Sequence, residues 1–185
     1  MALDRQTSLA KFGSSYAWIQ EIDPVTGATT GTAQKMPIIK ESTFGYTPGS
    51  EEKLVDESGD SWTVSSASGE VSFKGTMFRT NTGDLLDFFV KDRTKQYRII
   101  KLDNDKKALG KIGVYVYPNV KVAGNVELKN NGAEVAFEFS CAKAIAAATV
   151  AIDAINCPGN PVASANLPTS VAIAIGDLYG FAAKP

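Results

Sequence analysis

The chain has 185 residues, 19 Lys plus Arg against 20 Asp plus Glu, a formal net charge of -1 and no histidine. A chain of this length buries roughly 70% of its unfolded surface, enough for one core, and its charge balance gives no bulk attraction to nucleic acid or to anionic membrane. The missing histidine excludes His triads, His metal ligands and a histidine pH switch, and leaves carboxylate, lysine and cysteine chemistry open.

In chain order, residues 1–14 are polar and read as an N-terminal arm. Tyr16, Trp18 and Ile22 fall at near-strand spacing, and Asp23-Pro24 opens a turn that continues to Gly27. Met36 to Lys40 is a short strand candidate, and Phe44 and Tyr46 continue its alternation. From Thr47 to Asp60 the character changes. Pro48, Gly49 and Gly59 supply turn chemistry, and Glu51, Glu52, Asp56, Glu57 and Asp60 against Lys53 give a local charge of -4. This segment reads as an exposed loop. Trp62 and Val64 resume a strand pattern. Val71, Phe73, Gly75 and Met77 then alternate with Ser72, Lys74 and Thr76 in a long half-buried strand, whose glycine marks a bulge or a close approach.

Asp84 to Lys91 is the expected short helix, with Thr82 or Asp84 as its cap and Leu85, Leu86, Phe88 and Phe89 as its apolar face. Tyr97 to Leu102 returns to strand, and Asp103 to Lys107 reads as a charged turn. Eight basic and three acidic residues make Lys91 to Lys111 locally +5. In the β-branched and aromatic run Val114 to Tyr117, Tyr115 and Tyr117 share one face and Val114 and Val116 the other, so both faces require cover. Asn130-Asn131-Gly132 is a hairpin turn signal, after which Val135, Phe137 and Phe139 alternate with Glu134 and Glu138. Ala142 to Ile155 fits both periods and leans to helix through Ile145, Ala148, Ile152 and Ile155. Residues 156–170 carry three prolines and read as a draped loop, and Val171 to Gly176 is a late strand candidate. The sum is a mainly β chain, an antiparallel sandwich or barrel with one short flanking helix.

Little in this chain carries chemistry. Gly110-x-x-Gly113 lacks a phosphate loop's third glycine. Asp56, Glu57 and Asp60 are hard oxygen ligands without EF-hand spacing, so a solvated loop stands ahead of a calcium site. That acidic loop also complements the basic stretch that includes Lys101, Lys106, Lys107 and Lys111, as two surfaces of an assembly would. Glu134 and Glu138 lie roughly 13 Å apart in extended geometry, beyond the roughly 5–10 Å that flanks a glycosidic bond. Trp18 and Trp62 read as core anchors ahead of ligand platforms. Cys141 and Cys157 read as buried free thiols, with a disulfide as the alternative. No enzyme, metal or cofactor is expected. No run of about 20 apolar residues and no signal-peptide core is present, so a soluble chain made in a cytoplasm is expected.

The order of features resembles the major tail tube proteins of tailed bacteriophages and related injection systems. The resemblance is carried by the polar arm, the charged loop Thr47 to Asp60, the long strand Glu70 to Thr80 running into TGDLLDFFVKD, and the strands YRIIKL, GVYVYPNV and VELKNNGAEVAFEF. It implies a β-sandwich domain over 15–140, flanked by a helix, with six copies in a ring and rings stacked into a DNA conduit. By position it implies that Pro37 to Tyr46 and Glu70 to Thr80, with Val71, Phe73, Lys74 and Met77, contribute to an inner barrel. Glu51, Glu52, Asp56, Glu57 and Asp60 would lie on the inter-ring loop, and 141–185 would be an added packing element or arm. The implied partners are further copies of the chain, tape measure, terminator and baseplate proteins, and DNA passing transiently through the lumen. The implied location is the virion tail, after synthesis in the host cytoplasm. The alternatives are another virion sandwich protein (tail terminator, baseplate or decoration) or a carbohydrate-binding β-sandwich module.

Overall fold

The structure, a computed structural model, describes residues 12–37, 39–65, 69–79, 93–105, 112–141 and 146–182. The expected helix Asp84 to Lys91, and Lys106, Lys107 and Lys111, lie outside them. Among the described residues no helix reaches seven residues. None is long and apolar enough to cross a membrane.

The first ten strands are β1 (Phe12–Ile22), β2 (Gln34–Lys35), β3 (Ile39–Thr47), β4 (Glu51–Val55), β5 (Ser61–Ser65), β6 (Glu70–Phe78), β7 (Gln96–Asp105), β8 (Ile112–Val122), β9 (Glu127–Lys129) and β10 (Glu134–Cys141). β11 (Ala148–Ala151), β12 (Ser170–Ile173) and β13 (Gly180–Ala182) follow. The main sheet runs β2-β1-β7-β8-β10-β6-β3, with β13 on β8 and β9 on β10, and its pairings are antiparallel. The mainly β antiparallel fold is the one expected.

A bulge in β8 folds this sheet on itself. Tyr97 pairs with Val120 and Ile99 with Tyr117, so β8 carries the extra residue at Pro118-Asn119. Proline supplies no N–H to the ladder, and a bulge bends its strand. The first part of β8 therefore pairs with β7 and β13, and Val120 to Val122 pair with β10. Between the two halves lies one core: Ala17, Ile19, Ile99 and Tyr117 from one side, Ile39, Phe73, Met77, Phe137 and Phe139 from the other.

The second face of β1, β7 and β8 is also covered. Trp18, Ile100, Leu102, Val114 and Val116 pack against Val150, Cys157, Leu167, Val171 and Ile173 of the C-terminal region. The two-faced pattern of residues 114–117 thus has its explanation: Tyr117 enters the first core, and Val114 and Val116 the second. The Trp18 indole is fully buried and donates from Nε1 to the Pro158 carbonyl at 2.8 Å.

Several expectations are corrected. The helical reading of Ala142 to Ile155 gives way at Ala148–Ala151 to a strand paired with β12, Val150 opposite Val171. Ile155, assigned to the helix's apolar face, is 76% exposed. The partner strand decides here, because cross-strand packing overrides alanine's helix propensity. The loop expected over 47–60 is largely a hairpin, with β4 paired to β5 through Leu54 opposite Trp62. The charged turn expected at Asp103 is strand up to Asp105, since Asp103 pairs with Gly113. β1 begins at Phe12, inside the expected arm, and pairs with Asp105 there. Both cysteines are free and buried.

Candidate functional site

The described surface offers a projecting hairpin, a polar sheet face beside a free edge, and an aromatic groove. The hairpin turn is built by Asp56, whose Oδ1 accepts the backbone N–H groups of Ser58 and Asp60, each at 2.9 Å. Gly59 closes it at φ 86°, a conformation that favours glycine. Asp56 therefore acts as a turn former, and Glu51, Glu52, Glu57 and Asp60 are exposed around it. Among the described residues no group of three or more acidic or cysteine side chains is placed to hold a metal. Sequence reasoning missed the hairpin's exposed apolar side chains. Leu54, Val55 and Trp62 are exposed, Trp62 by 62%, which corrects its assignment as a core anchor.

The long strand β6 divides its residues as the alternation requires. Val71, Phe73 and Met77 are buried in the first core, and Lys74 is exposed on the opposite face. On that face Lys74 stands opposite Glu138 of β10 and Thr43 of β3. Thr47 and Glu70 pair further along, and Ser72 and Ser140 stand opposite one another, with Lys121 next on β8. Ser140 is buried, so the exposed part of this face carries Thr43, Thr47, Lys74, Lys121 and, near Glu134, the ring of Phe78, 40% exposed. At its far end Lys40 Nζ lies 3.0 Å from Glu134 Oε1, and this bond, ahead of one from Asn130, holds the Glu134 carboxyl below its ordinary pKa. Glu134 and Glu138 are thereby separate: one is ion-paired and the other faces Lys74 across the ladder.

β3 ends the sheet, pairing with β6 on one side. A register shift between Ile39 and Glu41 kinks it. Gly75 of β6 answers the expectation of a close approach: a Cβ there would overlap the Glu41 carbonyl oxygen.

Of the proposed basic patch, Lys101 is described, and it is 8% exposed. Its Nζ lies 2.6 Å from Asp103 Oδ2 and 5.6 Å from the ring centres of both Phe73 and Tyr115. A buried ammonium needs such partners. Lys101 is consequently held in an internal ion pair.

Polar groups also fasten the C-terminal cover. Arg98 Nη2 donates to Gln20 Oε1 at 2.6 Å and to Asn156 Oδ1 at 2.7 Å, and Lys35 Nζ reaches the Gly159 carbonyl at 3.1 Å. Burial lowers the Arg98 pKa, opposed by the nearby Cys157 and Asp153.

The groove, of about 620 Å³, lies between Tyr46, Gly69 and Val71 on one wall and Ala172 with residues 176–181 on the other. The Phe44–Tyr46 alternation was its sole trace in the sequence.

No protein-family model matches the chain. No curated protein matches it. Among solved structures the chain is similar to the SPP1 tail tube, a hybrid structure from solid-state NMR and cryo-electron microscopy, with 19% identity over 69% of this chain and 72% of that chain and a TM-score of 0.40.

Proposed function

We propose that the chain is a structural, non-catalytic subunit of a phage tail tube, assembling into stacked hexameric rings around a DNA conduit. The observation that carries this reading is the open sheet. Among the described residues it ends in a nine-residue strand, β3, that pairs on one side, beside a polar face of Thr43, Thr47, Ser72, Lys74 and Glu138. A long unpaired edge attracts other chains, and closing copies of the sheet into a ring removes it. A hydroxyl-rich face with both charge signs suits the passage of DNA, because a basic surface would retain the polyanion. The hairpin β4–β5, with exposed Leu54, Val55 and Trp62, is the element offered to the neighbouring ring. The 15–140 sandwich forms the ring, and 141–185 is its packing element. Tape measure, terminator and baseplate proteins are the further partners, and the virion tail is the location.

Negative-stain electron microscopy of the purified chain across a concentration series tests this. Rings with six-fold symmetry or stacked tubes are expected, with deletion of residues 51–65 leaving rings that do not stack. Monodisperse monomers at every salt and concentration would count against it.

A further inference from the structure

We infer that the groove between Tyr46 and Phe181 binds a neutral carbohydrate, a ligand class outside the tube reading and independent of it. Its volume of about 620 Å³ falls in the range of ligand sites, roughly 300–1,000 Å³. Tyr46 is 60% exposed and Phe181 53% exposed, one on each wall, and Tyr179 is half-buried beside them. Exposed rings of this kind stack on the C–H face of a sugar ring, combining an apolar body with a wet rim.

These rings are fixed in advance. Phe181 leans on Tyr115 with ring centres 4.9 Å apart, and Tyr179 meets Phe44 edge-on at 5.1 Å. The Tyr46 ring lies against the bare Cα of Gly69, where an added Cβ would sit 3.1 Å from its hydroxyl oxygen. The floor is held by β13 on β8 and by the Cys141 thiol, which donates to the Leu178 carbonyl. Preorganisation of this kind lowers the entropic cost of binding.

The polar groups select the ligand class. Asp177 is exposed, and its Oδ2 accepts the Ala174 N–H at 3.2 Å, while no bond is made to Oδ1 among the described residues. A carboxylate oxygen suits a pair of sugar hydroxyls. The described lining holds no lysine or arginine, so nothing there would neutralise an anionic ligand. The acidic hairpin of a second copy is disfavoured for the same reason. Added-strand binding of a peptide is disfavoured too, because Tyr46 alone of β3 reaches the groove.

The test is saturation-transfer-difference NMR of the full chain with maltotriose, cellotriose and chitotriose, which reads the ligand whether or not the protein assembles. Transfer to ring C–H protons of at least one sugar is expected. It should be lost in Tyr46→Ala, retained in Tyr46→Phe, and weakened about tenfold in affinity in Asp177→Asn. Tyr46 is mostly exposed, so Tyr46→Ala should keep the parent's circular dichroism. Absence of transfer to all three sugars would overturn the inference, as would transfer unchanged in Tyr46→Ala. Transfer to a synthetic peptide of residues 47–65 and to none of the sugars would also overturn it, and would assign the groove to a second copy.

Discussion

Phe73 of β6 and Tyr117 of β8 stack across the sandwich, their ring centres 5.5 Å apart and their planes 10° from parallel. The pair joins the two halves of the folded sheet at a point where both rings are fully buried. Truncating Tyr117 to Ala is expected to cost about 3–5 kcal/mol, the usual loss for a large core aromatic. A double-mutant cycle with Phe73→Ala should return a coupling of about 0.5–1.5 kcal/mol. Urea unfolding monitored by circular dichroism measures both.

Alkaline pH should act through the same residue. Burial raises the Tyr117 pKa above its ordinary 10, and nearby Asp103 adds to the shift. The unfolded chain therefore gives up this proton first. The stabilisation is complete below about pH 10 and is lost as pH rises beyond it. Tyr117→Phe should flatten that fall, as urea midpoints taken between pH 8 and pH 11 will show.

The two thiols should be silent in the native protein. Burial pushes Cys141 and Cys157 up to about 12 from an ordinary 9, and the thiolate is the reactive form. At pH 8 a thiol-reactive disulfide dye should label neither residue in the folded chain and both in urea. Rapid native labelling of Cys157 would show that the C-terminal cover opens readily.

The two tryptophans should report separate environments. Trp18 is sealed beneath the Pro158 carbonyl, whereas Trp62 stands on the hairpin. Trp62→Phe should leave a blue-shifted emission that iodide barely quenches, and Trp18→Phe a red-shifted, quenchable one. On tube formation the Trp62 emission should move to the blue if the hairpin is the stacking element.

Gly75 should tolerate no side chain. An added Cβ overlaps the Glu41 carbonyl oxygen and lies 3.1 Å from Phe137 Cζ and from Ser42 Cα. Gly75→Ala is expected to destabilise by about 1–3 kcal/mol through overpacking. The loss should appear as a lower urea midpoint with an unchanged slope.

What the residues disclose in advance follows burial. Val71, Phe73 and Met77, and Val135, Phe137 and Phe139, alternate because one face of each strand enters the core. Asn130, Asn131 and Gly132 reveal their turn because all three take positive φ, at 50°, 55° and 83°. The β4 half of the hairpin at 51–65 was hidden by the same rule. Its residues are exposed, so no apolar alternation was demanded of Glu51, Glu52 and Lys53. Ala148–Ala151 is strand through a partner some twenty residues away, which local propensity does not register. The groove is less legible still, since Tyr46 and Phe181 meet through topology alone.

The position of β8 has a consequence for the birth of the molecule. Its residues Val114 to Val116 remain half-paired until residues 180–182 have been synthesised and reach them. Contacts this distant in sequence form slowly, and an unfilled slot beside them invites mispairing. Gly180 fits this slot for want of a side chain: a Cβ there would strike the Ala172 carbonyl and the side chains of Val171 and Ile173. A lesion in β13 should therefore be felt first along the Val114 to Val116 edge of β8, far away in sequence.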